Sequence, residues 1–460
     1  MSVSSCFHIC LIIASFSSGH KALKAKKRDL LAWRRDTLIA IGQAECYTVC
    51  TNSSGSVISD RNPERIKCMR NSKKGRLKQR LLTVLLGITL TIGAMTSCST
   101  DIGQNGSHEQ QNTTTTEGDM SSYEPETTPN YPVNGYLIVP EEIKRDGVTD
   151  VTQQLQTLIY KNPKRTIFFP DGTYLISKPL LTSANPSKTV SLVLSQYAVI
   201  KADAKKWDTD EAMIRLGGGG FGNNAERAGS HTVFRGGVVD GSGIASGISI
   251  DSGIQTVVTG TTLINTKVGL HIKNGANGGS ADADISGLNI VGTGKTDSVG
   301  IIVDAHDNTF TNIRIGKVQV GVELNKGANM LRNVHPLYYG VGYIDYENSC
   351  AFWDKHGTNW YDFCYSDQFG TAFRLGDGVM SFFNNCYVFW YEDRGDNQTV
   401  FRVDGRFESI VDTLRVCFRN KTDNTLLRES KAGGSGTFEK LYIDNASGLS
   451  PKDAYKKHLK

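Results

Sequence analysis

What most constrains the fold is a repeat. One unit, apolar, two others, apolar, one other, apolar, recurs as Ile285/Leu288/Ile290, Phe310/Ile313/Ile315, Leu331/Val334/Pro336, Phe383/Cys386/Val388, Val411/Leu414/Val416 and Phe438/Leu441/Ile443. A companion unit, a small residue followed by apolar, variable, apolar, starts at Gly247, Gly269, Gly300, Gly321, Gly342, Ala372 and Val400, at intervals of 22, 31, 21, 21, 30 and 28 residues. Alternating strands at such periods cannot bury their apolar faces singly, so each coil must stack on the next in a solenoid. Within a unit the flanking apolar residues face inward and the variable one faces out.

Stacking the first unit aligns an outward row: Asn289, Arg314, His335, a residue near Tyr365, Tyr387, Arg415 and Tyr442. Aromatic faces can cover sugar rings, and Arg can pair with carboxylate or sulfate, so Arg314, Tyr365, Tyr387, Tyr391 and Arg415 are expected to bind substrate. The positions after the companion unit, Asp251, Lys273, Asp304, Asn325, Tyr346 and Asp404, read as a turn ladder whose side chains satisfy turn amides.

Aromatic and acidic residues concentrate between His335 and Arg394. Glycoside hydrolysis needs two carboxylates about 5 to 9.5 Å apart, and coils about 4.8 Å apart can supply that spacing. Asp345, Asp367 and Glu392 are the expected catalytic set. For elimination, His335 with Tyr365 or Tyr387 would take the proton alpha to a uronate carboxylate.

Upstream of the repeats, residues 146–177 contain Asp146-Gly147-Val148-Thr149-Asp150, then Val151, Leu155, Leu158 and Ile159 at helical spacing, then Phe168-Phe169-Pro170-Asp171-Gly172-Thr173-Tyr174. Thr149 or Asp150 is the expected N-cap of a short helix, and Pro-Asp-Gly the turn between two strands. This segment resembles the start of the pectate-lyase superfamily, which includes polysaccharide lyases, glycosidases and phage tailspikes. The resemblance implies an all-β chain: a right-handed, single-stranded parallel β-helix with a short N-terminal capping helix. It delivers no catalytic residue, because the Asn-Thr-Asp, Asp-Asp and Gly-His-Gly motifs of polygalacturonases and the Arg-x-Pro-x-x-Arg of calcium-dependent pectate lyases are all absent.

Charge divides the chain. Residues 1–98 hold 16 Lys and Arg against 5 Asp and Glu, whereas the rest holds 35 against 41. The repeat region is therefore mildly acidic, which argues against nucleic acid as a partner. From Met69 a basic stretch leads into an apolar run, 81–95, which ends at Thr96-Ser97-Cys98. Fifteen residues are shorter than the roughly 20 that span a bilayer, and the pattern resembles a bacterial lipoprotein signal with Cys98 as the lipidated residue. Gly217 to Gly220 lack a phosphate-loop Lys-Ser/Thr and read as a loop.

The expected organisation is an over-extended start without fold (1–68), a signal peptide (69–98), a polar tether (99–130), the β-helix (131–446) and a C-terminal tail (447–460). The protein would be extracytoplasmic, an outer-membrane lipoprotein or else secreted, touching the membrane only through its lipid. It would cleave polysaccharide, or serve as a non-catalytic glycan-binding or adhesive surface protein. No metal or other cofactor is expected. Cys350, Cys364, Cys386 and Cys417 read as buried thiols.

Overall fold

The computed structural model describes residues 136–460, apart from 184, 186, 220–230, 276–279, 339–344, 392–397, 420–422 and 451–452, together with two short strands farther upstream. The chain divides into two compact units, Met1–Asn112 and Thr113–Lys460. In the first, Cys50–Thr51 pairs antiparallel with Val57–Ile58; Cys98, like all of residues 59–135, lies outside the described residues.

The second unit is a right-handed parallel β-helix with three faces. Ten strands form one face, in an order that ends with Leu180–Ser183. A twenty-strand sheet supplies the other two. These two are joined because some strands, such as Met330–Leu337 and Ile410–Phe418, run through the corner without leaving the sheet. A coil thus reads as Val320–Leu324 on the ten-strand face, then Met330–Leu337 along the second and third faces, then Cys350–Asp354 back on the first.

The repeat makes this shape because every inward position lands on its equivalent one coil away. On the ten-strand face the register runs Leu270, Ile301, Val322, Phe352, Phe373, Phe401 and Leu427. All seven are buried, and Phe373 stacks between Phe352 and Phe401 at 5.1 Å to each. Burying each such side chain contributes about 1.5 to 3 kcal/mol. Cys350, Cys364, Cys386 and Cys417 are buried free thiols. Burial pushes the Cys364 thiol up to about 12.

Polar groups hold the corners. Between the ten-strand and second faces, Asn329 Oδ1 accepts from Asn308 N at 3.1 Å, Asn359 Oδ1 from Asn329 N at 2.9 Å, and Ser381 Oγ from Asn359 N at 2.9 Å. Between the second and third faces the chain turns through left-handed residues, Gly287, Asn312, Asn333, Phe363 and Asn385. Asn adopts that conformation far more readily than Phe does.

At the N-terminal end, helix α1 (Thr152–Lys161) buries Val151, Leu155 and Ile159 over the open coil. Residues Asp146–Asp150 form a strand, and Val151 occupies the cap position without a side-chain bond. Thr149 and Asp150, the expected caps, both lie in that strand, although Asp150 still accepts from Thr152 N at 3.0 Å. The Pro-Asp-Gly turn needs its glycine: Gly172 has φ +129°, and a Cβ there would lie 2.8 Å from Arg145 Cβ. At the other end Leu459 pairs with Phe438, and buried His458 donates from Nδ1 to Gly436 O at 2.8 Å, closing the last coil. No helix among the described residues is long and apolar enough to cross a membrane.

One coil departs from the expected register. The strand between Val320–Leu324 and Thr371–Leu375 is Cys350–Asp354, not the stretch beginning at Gly342. Its last inward position, between Leu324 and Leu375, is Asp354 and not an apolar residue, so the hydrophobic pattern passed it over.

Candidate functional site

On the third face the strands bring Asn289, Arg314 and His335 into register, and likewise Tyr365, Tyr387, Arg415 and Tyr442. The His335 ring stacks on Tyr365 at 4.0 Å, Tyr365 lies 4.8 Å from Tyr387, and Arg415 Cζ is 5.9 Å from the Tyr387 ring. The His335 and Tyr365 rings therefore cover one another's faces. Two residues farther on, Asp367 Oδ2 accepts from the Tyr365 hydroxyl at 3.2 Å and lies 3.9 Å from His335 Nε2. Burial, and then the Asp367 charge, raise the Tyr365 hydroxyl pKa.

Arg314 and Arg415 belong to this row and Tyr391 continues it, whereas Asp345 stands apart. Tyr391 stands beside Phe389 at 5.8 Å. Arg314 donates to Ile313 O at 3.3 Å, and Arg415 pairs with Asp444 at 2.9 Å. Asp345 sits in the loop before Cys350–Asp354, where its Oδ2 accepts from Asn348 Nδ2 at 2.7 Å. Glu392 lies outside the described residues.

A cleft of about 560 Å³ opens instead on the ten-strand face, lined by residues 208–212 with Ser246, Ser249, Val268, His271 and Lys273. His271 and Lys273 alternate outward from one strand, Val268–Ile272 and the residue after it, so they stand roughly 7 Å apart along it. His271 Nε2 is 2.7 Å from Asp304 Oδ2, one coil on, and Asn325 Nδ2 donates to the other Asp304 oxygen at 2.6 Å. The bond from His271 is the main reason that Asp304 is held below the usual carboxylate range. Lys273 Nζ meets Glu211 at 2.9 Å and Asp251 at 3.4 Å, and Arg215 Nε meets the same two carboxylates at 3.3 and 2.7 Å.

Chemically, an ionised Asp304 that accepts the Nε2 proton leaves Nδ1 of a neutral His271 free to take a proton, and it stabilises the resulting imidazolium. Farther along the same face Lys355 Nζ and Arg374 Cζ lie 4.1 and 4.2 Å from the Trp353 ring centroid. Arg374, Arg402 and Arg428 follow in register on successive coils. Asp404 accepts from Arg374 Nε at 2.8 Å and lies 3.9 Å from Arg402 Nε. Among the described residues no group of three or more His, Cys, Asp or Glu is placed to hold a metal ion.

Of the turn-ladder positions Lys273 lines the cleft, while Asp251 pairs with Lys273 and Asp304 with His271. Two positions earlier, the variable residues of the companion unit, Ser249, His271, Ile302, Glu323, Trp353, Arg374 and Arg402, form one outward row.

No curated protein sequence matches the chain. Among solved structures it is similar to an endo-xylogalacturonan hydrolase from Aspergillus tubingensis, at 15% identity and TM-score 0.45 over 66% of this chain and 92% of that one. It is also similar to PfbA, a surface adhesin of Streptococcus pneumoniae, at 12% identity and TM-score 0.36 over 69% and 94%. A family 28 exopolygalacturonase of Yersinia enterocolitica aligns at 10% identity and TM-score 0.37 over 69% and 77%. The family described as rhamnogalacturonase A/epimerase, pectate lyase-like, matches residues 140–342, which supports the pectin-lyase-like superfamily that residues 146–177 resemble.

Proposed function

We propose that the chain is an extracytoplasmic, carbohydrate-active β-helix that cleaves an acidic polysaccharide lying along its ten-strand face. The observation that carries this reading is the His271–Asp304 dyad at 2.7 Å, beside Lys273 and Glu211 in the cleft. Cleavage by hydrolysis needs a base to activate water and an acid to protonate the leaving oxygen, and cleavage by elimination needs a base to take the proton alpha to a uronate carboxylate and pass it to the leaving oxygen. His271, oriented by Asp304, serves as the base in either, and Glu211 of the same cleft would be the acid for hydrolysis. Lys273 would have to exchange its Glu211 pairing for the sugar in the cleft, and Trp353, Arg374 and Arg402 would hold the acidic polymer farther along. Trp353 stands three coils from His271, about 14 Å, and Arg402 five coils, about 24 Å.

The family match supports the same location: its description names a rhamnogalacturonase, and residues 140–342 contain the whole cleft but little of the His335–Arg394 region. The domain organisation proposed is a start region to residue 68, a lipoprotein signal over 69–98, a tether over 99–130, the β-helix over 131–446 and a tail over 447–460. Cys98 would carry the lipid. Mass spectrometry of the native protein should find a lipidated Cys98, and any peptide from residues 1–68 would refute that start.

The test of function incubates the purified full chain with neutral and uronate-containing polysaccharides while following reducing ends and the unsaturated-uronate absorbance. Reducing ends alone select hydrolysis, and new absorbance selects elimination. His271→Ala and Asp304→Asn should each lower kcat by about 10²-fold or more. A second reading, a non-catalytic glycan-binding or adhesive surface protein, is favoured by one observation: Glu211 and Asp251 are both already paired with Arg215 and Lys273. Retained binding without cleavage of any polysaccharide would select it.

A further inference from the structure

An apolar stripe crosses the second face, away from the cleft. Its outward row runs Asp284, Thr309, Met330, Trp360, Phe382, Ile410 and Thr437 in continuous register. Four consecutive members are large and apolar, and each keeps 38% or more of its surface exposed. Trp360 and Phe382 stack 6.2 Å apart and within 9° of parallel. The stripe extends about 14 Å along the axis. It widens through Met380 on one side and Phe363 on the other, at 59% and 52% exposure.

Phe363 supplies a second, independent observation. It occupies a left-handed corner, φ +53°, at the register position where neighbouring coils place Asn333 and Asn385. At Asn333 the side chain serves the corner, since its Nδ2 donates to Asn312 Oδ1 at 2.8 Å. Phe363 can make no such bond, strains the backbone and exposes a ring. Exposed apolar patches and locally strained residues of this kind mark contact surfaces.

The charges beside the stripe indicate the occupant. Along one flank the outward residues on successive coils are Arg332, Asp362, Asn384 and Asp412; Arg332 lies 3.5 Å from Asp362 and Asp412 3.9 Å from Lys440, with the Arg332 and Asp412 side chains still 60% and 52% exposed. The mixture of signs does not suit an anionic lipid surface, which selects Lys and Arg. It does suit a second copy of this chain, related by a two-fold axis parallel to the strands and midway between Trp360 and Phe382. That axis sets Met330 against Ile410 and Trp360 against Phe382 of the second copy, and it carries Arg332 onto Asp412 and Asp362 onto Asn384. The geometry points to a homodimer closed through this stripe, independent of what the cleft does. With four large apolar residues at its centre the contact is small, so the dimer is weak and reversible, with Kd on the order of micromolar.

Sedimentation equilibrium of the full chain over a concentration series, in detergent-free buffer, tests this. The wild-type mass should rise toward twice the monomer value. Trp360→Glu with Phe382→Glu should raise Kd more than about tenfold, whereas Tyr442→Glu on the third face should leave it unchanged. Arg332→Glu should raise Kd by roughly fivefold, and adding Asp412→Arg should restore it. Far-ultraviolet circular dichroism confirms that each variant is folded. A wild type that stays monomeric throughout, or association untouched by the stripe variants, overturns the dimer. Stripe dependence without rescue by the charge exchange overturns the two-fold arrangement.

Discussion

Asp354→Asn should alter how stability depends on pH, in a direction set by where the carboxylate sits. Asp354 is fully buried at an inward core position, and it accepts from Ser381 Oγ at 2.6 Å, Asn359 Nδ2 at 3.0 Å and Tyr361 OH at 3.2 Å. Burial outweighs those donors and pushes its pKa from 3.8 up to about 6. The fold therefore favours the neutral acid. That contribution is complete below pH 4, the unfolded value, and is lost as pH rises through 6. A shift of this size corresponds to about 3 kcal/mol. Asparagine cannot ionise, so the stability of Asp354→Asn minus that of wild type should grow by about 3 kcal/mol between pH 4 and pH 8. Urea unfolding of both proteins at each pH, followed by tryptophan fluorescence, measures this difference, in which the other titrating groups cancel. A difference that stays flat across the range would refute the buried-carboxylate argument.

Three further predictions rest on single contacts. Gly172→Ala should lower stability by about 1 to 3 kcal/mol in thermal or chemical unfolding, since its φ of +129° and the 2.8 Å approach to Arg145 Cβ leave no room for a methyl group. Cys350 and Cys364, fully buried and both pushed up to about 12, should resist a thiol reagent at pH 8 until the protein unfolds; rapid labelling of the native state would contradict their place in the core. Deleting residues 455–460 removes the His458 bond to Gly436 O and the ring contact on Phe407 at 5.2 Å, and should expose Phe407 and Phe438. Increased binding of a hydrophobic dye and an earlier unfolding midpoint are the expected results.

The coils were legible in the sequence wherever the inward positions are uniformly apolar, because a two-residue alternation repeated every 20 to 30 residues has no other efficient way to bury itself. The reading slipped one coil where chemistry interrupts that pattern. Asp354 stands between Leu324 and Leu375, so hydrophobic alternation favours the stretch at Gly342 instead, which would put Asp345 at a strand end that it does not occupy. The third-face row was legible for the same reason as the core, since register alone aligns Tyr365, Tyr387 and Arg415.

The cleft was harder to read, because its parts are conditional on contacts between coils. His271 looks like any variable residue until Asp304, 33 positions later, reaches its Nε2, and Glu211 comes from a loop before the repeat is established. An outward residue in one repeat says little; the same residue read down the stack, Ser249, His271, Ile302, Glu323, Trp353, Arg374, Arg402, shows a face passing from a His and carboxylate centre to a Trp and Arg rail. In a solenoid the informative unit is therefore the column and not the coil. Choosing the column with a cleft at one end, over the column whose rings stack on themselves, depends on loop placement that no periodicity encodes.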